Sequence, residues 1–341
     1  IYSWMKSNLV DVVLTPNGSI LENGAVFQVA RYLNLPVMTY EFSEQRERIW
    51  LAQNSEVMRQ DTDALWLARK DQPLSDEQCD KVRDLFASRQ RADLWGNFSR
   101  RWQGVPSQGG EKVRSQLHLD DRPLILLAAN VIGDSLTLGR QIFTASMTDW
   151  LQQTLSYFAG MPNTQLVIRI HPGERYTKGP SVGDVVKQTL LKLPENIHLV
   201  AADDPVNTYD LVEIASLGLV YTTTTGMEMA MSGVPVIVSG QTHYRGKGFT
   251  LDPSSWDEFY QLIDQSLNSE MKGRISQEQV NQAWNYAYRF FFEYPCSFPW
   301  HLLYFWEELK TKPLDYVLSE QGQAEYGAVF RYLTGETRIF T

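Results

Sequence analysis

Short apolar runs alternate with amphipathic stretches along most of this chain, and that alternation predicts its layout. Asp11–Thr15 reads as a buried strand closed by the turn Pro16-Asn17-Gly18-Ser19. Ile20, Ala25, Val26, Val29, Ala30 and Leu33 then repeat at helical spacing, and Leu35–Tyr40 is a second strand with Glu41 and Glu44 just beyond it. Residues 44–103 are mostly polar and read as helical, without a strong strand. A new unit opens near residue 116. Its strands are Leu124–Ala128, Gln165–Ile170, Ile197–Val200 and two more near 218–222 and 235–239, with helices over 140–158, 182–192 and 207–216 between them. Strands and helices alternating at this interval predict an α/β chain with a parallel, doubly wound sheet. Residues 276–293 are helical and aromatic. Pro295 and Pro299 then break the chain, the run from Trp300 to Trp306 is again aromatic, and a last helix covers 324–334. Such an aromatic stripe predicts core or a domain interface rather than a membrane-surface helix, because few basic residues flank it.

The densest signal lies between Gly218 and Gly240. A buried strand runs into four threonines, Thr222–Thr225, then Gly226, a short helix, Gly233-Val-Pro235 and a second buried strand. A turn of this kind leaves backbone N–H groups at a helix start, where they and the helix dipole favour a phosphate or another anion. One hydroxyl suffices for a helix cap, so Thr223, Thr224 and Thr225 are candidate phosphate contacts. Glu228, on the first turn, is read either as a helix-start charge or as a ligand for a ribose hydroxyl.

Other candidates also fall at predicted strand ends, the edge where open α/β sheets bind ligands. His171 follows a strand and is held by Pro172 and Gly173. It can donate to a phosphate oxygen or carry a proton, or it can be a structural histidine bonded to its own loop. Arg169 lies two residues earlier on the same strand face, as a ligand contact or an interior partner. Glu174 reads as a cap for that loop. Asn130 and Gly133 end the first strand of the unit and can line the same crevice. His243 and Lys247 belong to the glycine-punctuated loop 241–250, read either as a solvated surface loop or as one that closes over a ligand. In the first domain Glu41, Glu44 and Glu22 are candidate bases, with Glu41 taken forward.

Length and charge narrow the class. The 341 residues suggest two domains, and 43% hydrophobic with 21% charged residues is a globular composition. The net charge of −9 argues against a nucleic-acid surface. Cys79 and Cys296 stand far apart in no metal spacing, so no metal site is expected and a reducing, cytoplasmic setting is. No apolar run reaches the roughly 18 residues of a membrane span. The chain starts at Ile1 inside a helix, and the first domain is expected to be incomplete.

The Arg-Ile-His171-Pro172 strand end, the Thr-Thr-Gly226-Met-Glu228…Gly233-x-Pro235 segment and the Tyr244…Gly248-Phe249-Thr250 loop resemble the carboxyl-terminal half of GT-B glycosyltransferases. They are most similar to the bacterial capsule-polysaccharide group that includes the Kdo transferases. The resemblance implies two Rossmann-like domains facing a cleft: 1–115 for the acceptor, 116–290 for a nucleotide-sugar donor, and helices over 291–341 crossing back. It implies that His171 meets the donor phosphate, that the threonine turn holds phosphate and that Glu228 holds the ribose. The donor would be CMP-, CDP- or UDP-linked, with no separate cofactor, and the acceptor an oligosaccharide or glycolipid, with peripheral association at the inner face of the membrane. Retaining enzymes of this fold often carry a second glutamate eight residues before the ribose one. Val220 stands there, which favours inversion with Glu41 as base. The alternatives are a CDP-polyol phosphotransferase of the teichoic-acid type, a nucleotide-sugar epimerase, and a non-catalytic subunit of the same fold.

Overall fold

The computed structural model of the chain describes residues 1–98, 103–268, 274–301 and 304–338; Leu302 and Leu303 of the aromatic run lie outside them. Two compact units form. Unit 1 comprises Ile1–Pro73, Leu94–Arg100 and Tyr288–Thr341, and unit 2 comprises Leu74–Asp93 and Arg101–Ala287. The strands are β1 (Val13–Pro16), β2 (Val37–Phe42), β3 (Arg48–Gln53), β4 (Leu124–Ala128), β5 (Gln165–Arg169), β6 (Ile197–Val200), β7 (Leu217–Val220), β8 (Val236–Val238) and β9 (Cys296–Ser297).

Unit 2 is built on one sheet in the order β6-β5-β4-β7-β8, with every neighbouring pair parallel. All residues of β4, β5, β7 and β8 are buried. Helices cover both faces of such a sheet, which is why these strands read as unbroken apolar runs rather than alternating ones. The helix Met147–Ala159 buries Met147, Trp150, Leu151, Thr154, Leu155 and Phe158, the stripe expected of a helix lying on a sheet. It starts later than the sequence predicts. The Ser146 hydroxyl caps it by accepting from the Asp149 N–H at 3.0 Å. Residues before it form a loop, in which the Asp134 carboxylate accepts from the Leu136 N–H and Gly139 takes a left-handed φ of 65°. The helix expected over 182–192 closes at Thr189, where Leu190 turns to extended backbone.

Unit 1 departs from a wholly parallel plan. Its sheet runs β1-β2-β3-β9, and only β1 and β2, joined through the helix Leu21–Tyr32, are parallel. The connection 43–47 is too short for a crossover, so β3 returns antiparallel to β2, and β9 is antiparallel to β3. β3 lies in the stretch expected to be helical. Ile49, Trp50 and Leu51 are buried in succession, so neither face of the strand shows the polar alternation that marks one in sequence. The first part of the aromatic stretch is core, as expected: the helix Gln277–Tyr288 runs into a π-helical turn over Arg289–Glu293 that buries Phe290 and Phe291, whereas in the second run Phe305 and Trp306 are exposed on the helix Phe305–Thr311.

The unit boundary also differs from the one drawn at residue 115. The helix Asp76–Gln90 and the segment after residue 101 belong to unit 2. The Asn207 amide donates to the main-chain oxygens of Gln90 and Val105, both at 2.9 Å, and the Asp210 carboxylate accepts from the N–H groups of Gln108 and Gly109 at 2.9 and 3.2 Å. The helix Gly110–Gln116 packs so closely on Thr208–Ile214 that a Cβ at Gly110 would strike Ile214. These bonds span about a hundred residues of chain and leave no local pattern. Among the described residues no helix is long and apolar enough to cross a membrane.

Candidate functional site

The strand order places a crevice at one edge of unit 2. β4 comes first in the unit; the chain then adds β5 and β6 on one side and β7 and β8 on the other. The loops leaving β4 and β7 therefore diverge, and ligands of open α/β sheets bind at such a point, beyond the carboxyl ends of the strands. Asn130, just after β4, is buried there. Its Oδ1 accepts from both the N–H (3.1 Å) and the hydroxyl (3.2 Å) of Thr222, just after β7. Asn130 thus clasps the two strand ends together and serves as a brace for the crevice, where the sequence reading had it touching a ligand. Gly133, a few residues on, has φ 81° and open space around it, so the glycine answers to a left-handed turn.

After Thr222 the chain turns tightly into the helix Thr225–Met231. The hydroxyls of Thr223 and Thr225 lie 3.2 Å apart, and the Gly226 N–H is taken by the Thr223 carbonyl at 3.1 Å. Thr224 makes no side-chain capping bond, and both it and Thr225 are partly exposed. Gly226 is required by a close approach: a Cβ there would collide with the Tyr244 hydroxyl and with Val220.

Glu228 has a different role from the one expected. It is buried, one carboxylate oxygen is paired with the guanidinium of Arg89, and the other accepts from the Tyr209 hydroxyl at 2.8 Å. Burial pushes its carboxyl up, opposed by Arg89 and Tyr209, while burial and then the Glu228 charge hold the Tyr209 phenol well above its ordinary value. Both oxygens are committed inside unit 2, so Glu228 anchors the helix Asp76–Gln90 instead of presenting itself to a ribose. Arg89 escaped notice because it sits 139 residues away, on a helix assigned to the other domain.

His171 follows β5 at an exposed position and caps the 3-10 turn Pro172–Tyr176. Its Nδ1 accepts from the Gly173 N–H at 2.9 Å, so a neutral ring carries its proton on Nε2. Gly173 leaves room for the ring, since a Cβ there would come within 2.9 Å of Nδ1. The loop is pinned beyond it by Glu174, whose two oxygens accept from the Val182 N–H at 3.1 Å each; burial raises its carboxyl. Glu174 is the loop cap that was expected. Arg169 is the interior partner instead of the ligand contact. It is buried and donates to the main-chain oxygens of Ala201 and, at 3.2 Å, Val206, and desolvation pulls its guanidinium down to about 10. β5 ends at Arg169, so the pleat no longer sets where His171 faces, and the two do not share one role. At about 5 Å per strand, β5 and β7 on either side of β4 set the His171 loop and the threonine turn about 10 Å apart along the sheet edge.

Loop 241–250 packs against the threonine turn. The Thr242 hydroxyl donates to the Thr222 carbonyl at 3.2 Å and the Tyr244 hydroxyl to the Thr223 carbonyl at 2.5 Å. His243 is buried against Tyr286, with rings stacked 5.8 Å apart and Nδ1 2.9 Å from the Tyr286 hydroxyl. Burial and then the Lys247 charge pull its imidazole down to about 3, so it is neutral at physiological pH. Lys247 is itself buried. The loop is a packed wall of the crevice and not a solvated flap, and His243 is part of its core. The buried Arg140 also belongs to this edge, its carbonyl accepting from the Gln241 N–H at 2.8 Å; the sequence reading placed it at a helix start and so passed it over.

In unit 1, Glu41 lies within β2. Its Oε1 accepts from the Phe42 N–H at 3.2 Å and its Oε2 from the Asn17 amide at 3.5 Å, and the side chain is half-buried. Among the described residues no three His, Cys, Asp or Glu side chains are grouped to hold a metal.

A family model described as "Capsule polysaccharide biosynthesis protein" matches residues 92–280, which include all of β4 to β8 and their carboxyl-end loops. The chain belongs to this capsule polysaccharide biosynthesis family. Among solved structures, it is similar to the beta Kdo 2,4 transferase of Thermosulfurimonas dismutans KpsC, with 17% identity over 81% of this chain and 79% of that one at a TM-score of 0.49. The beta Kdo 2,7 transferase of the same protein gives 16% identity, 82% and 76% coverage and a TM-score of 0.44. Sucrose-phosphate synthase from Thermosynechococcus elongatus gives 14%, 97% and 75%, and 0.39. No curated protein matches the chain.

Within this family member the crevice edge brings together Thr223, Thr224, Thr225 and the Tyr244 wall, with His171 on the neighbouring side of β4. Asn130, Arg169, Glu228 and His243 are turned to internal bonds that hold the edge in shape. The exposed imidazole of His171 and the partly exposed hydroxyls of Thr224 and Thr225 stand at that edge as hydrogen-bonding groups. Such a set suits an anion.

Proposed function

We propose that this chain is a GT-B glycosyltransferase of capsule polysaccharide synthesis that transfers a sugar from a nucleotide-linked donor to a polysaccharide or glycolipid acceptor. The observation that carries the reading is His171. Its Nδ1 is tied to the Gly173 N–H, which puts the proton of the neutral ring on Nε2, at the carboxyl edge of the unit 2 sheet, two strands from the threonine turn. Family membership supports the acceptor class. In the proposed reaction an acceptor hydroxyl attacks the anomeric carbon, the bond from that carbon to the donor phosphate breaks, and the acceptor proton passes to a carboxylate. Glu41 is our candidate for that base, and the product is inverted. Negative charge grows on the departing phosphate, where the His171 Nε2–H and the Thr223–Thr225 hydroxyls meet it. The nucleotide is CMP, CDP or UDP, and the enzyme works on the cytoplasmic side of the membrane.

The test begins with titration calorimetry of the three nucleotides, followed by sugar transfer by His171→Ala. Loss of one preorganised donor to a leaving group costs about 10²–10³ in kcat. The variant also loses the Nδ1 cap on the Gly173 N–H, so a small drop in melting temperature is expected while the fold holds. Wild-type turnover by a folded His171→Ala protein would remove the histidine from the mechanism, and absence of binding by all three nucleotides would remove the donor site.

A further inference from the structure

The 3-10 turn that follows His171 ends in Tyr176, a ring that the fold leaves in water. Tyr176 is 76% exposed, and among the described residues it is the one exposed aromatic side chain of unit 2. The other exposed large apolar side chains of the unit are Leu138 and Ile142, in the loop leaving β4, and Leu191 and Leu193, in the loop that enters β6 at the opposite edge of the sheet. One face of the Tyr176 ring is backed by the Arg175 guanidinium, 4.6 Å from the ring centroid. The exposure of the ring leaves its other face for a flat partner.

The ring is also held in a fixed relation to His171. The Glu174 N–H donates to the His171 carbonyl at 2.9 Å and the Thr177 N–H to the Glu174 carbonyl at 3.0 Å, two 3-10 bonds in succession. The Thr177 hydroxyl donates to that same Glu174 carbonyl at 2.9 Å, and the Glu174 carboxylate ties the turn to the Val182 N–H. In such a turn, residues three apart eclipse one another and lie about 6 Å apart along the axis. Gly173 and Tyr176 are a pair of this kind. The His171 imidazole lies against Gly173: its Nδ1 accepts the Gly173 N–H, and a Cβ on Gly173 would come within 2.9 Å of Nδ1. Imidazole and phenol therefore stand on one side of the turn, about 6 Å apart along it. A nucleoside 5′-phosphate places its phosphate and its base a similar span apart, on either side of the ribose. Its base is a flat π surface of the sort that stacks on an exposed aromatic ring.

From this placement we propose that Tyr176 is the platform on which the nucleobase of the donor stacks while the phosphate meets His171. The proposal rests on the transferase reading and adds to it a residue that distinguishes a nucleotide from a bare phosphate. Stacking accepts any base, so Tyr176 supplies affinity for nucleotides as a class and does not choose between cytosine and uracil.

Titration calorimetry of the full chain with CMP, CDP, UDP and pyrophosphate tests it. CMP carries a base and no sugar beyond the ribose, and pyrophosphate carries no base. Tyr176→Ala is expected to weaken every nucleotide that the wild type binds by about tenfold or more and to leave pyrophosphate unchanged. Tyr176→Phe keeps the ring and is expected to bind nucleotides within about twofold of wild type. Arg175→Ala removes the guanidinium behind the ring and is expected to cost less than Tyr176→Ala. His171→Ala is expected to weaken nucleotides and pyrophosphate alike. Because the ring is exposed, Tyr176→Ala is expected to melt with the wild type. Unchanged nucleotide affinity in Tyr176→Ala, a matching loss for pyrophosphate, or equal losses in the Ala and Phe variants overturns the platform and leaves the donor site standing. Failure of the wild type to bind any of the three nucleotides overturns the transferase reading, and the platform with it.

Discussion

Truncating Arg89 to alanine separates two accounts of Glu228. Arg89 has a fully buried side chain and that of Glu228 is 6% exposed, so the change leaves a carboxylate away from water with the Tyr209 hydroxyl as its remaining side-chain partner among the described residues. Removing one member of a buried ion pair costs about 3–5 kcal/mol, because the remaining charge keeps its desolvation penalty and loses its compensation. With m about 2–3 kcal/mol/M in urea, the midpoint of the unit 2 transition falls by about 1–2.5 M. Glu228→Gln takes the paired carboxylate from Arg89 instead and is expected to cost a similar amount while preserving an acceptor for Tyr209. The double change Arg89→Met/Glu228→Gln removes both charges and is expected to recover at least half of either single loss. Urea unfolding followed by fluorescence, with nucleotide titration of each folded variant, completes the cycle. A structural anchor predicts large stability losses, non-additive energies and nucleotide binding that survives wherever the fold does. Stability changes under about 1 kcal/mol, with nucleotide binding abolished by Glu228→Gln, would refute the anchor and restore Glu228 as a ligand contact.

Three further outcomes follow from the same geometry. His243 has its imidazole pulled down to about 3 against an ordinary 6.5, so the unfolded chain takes up its proton first as pH falls. Its contribution is intact above pH 6.5 and shrinks by about 1.4 kcal/mol per pH unit toward pH 3; His243→Gln is expected to flatten that slope, and parallel stability curves for the two proteins would count against it. Gly226→Ala forces a methyl into the Tyr244 hydroxyl and Val220 and is expected to cost about 1–3 kcal/mol by thermal melting, with partial relief from Tyr244→Phe; an unchanged melting temperature would contradict the packing. Glu174→Ala leaves the Val182 N–H without its carboxylate and is expected to lose about 1–2 kcal/mol, read by hydrogen exchange as earlier opening of helix Val182–Thr189; unchanged protection there would disprove the cap.

The chain's own order of residues determined the unit 2 sheet. β4 and β6 stand where their apolar runs put them, and the other three strands differ by a residue or two at their ends, because a doubly covered parallel strand must be apolar throughout. It also determined which loops reach the carboxyl edge, since strand alternation with helices implies a parallel sheet, and so His171 and the threonine turn were found. Tertiary structure decided what each polar side chain at that edge does. Glu228 meets Arg89 from 139 residues away, Asn130 meets Thr222 from 92, and Arg169 meets the Val206 carbonyl from 37. None of these pairings has a period or a spacing. The same holds for β3, whose antiparallel return and burial come from its neighbours in unit 1, and for the helix Asp76–Gln90, drawn to unit 2 by bonds that lie far off in sequence. Backbone pattern is local, written by the 3.6- and 2-residue repeats of helix and strand. The fate of a buried charge is set by whichever partner the fold delivers, because a carboxylate without water takes the nearest guanidinium or hydroxyl at hand.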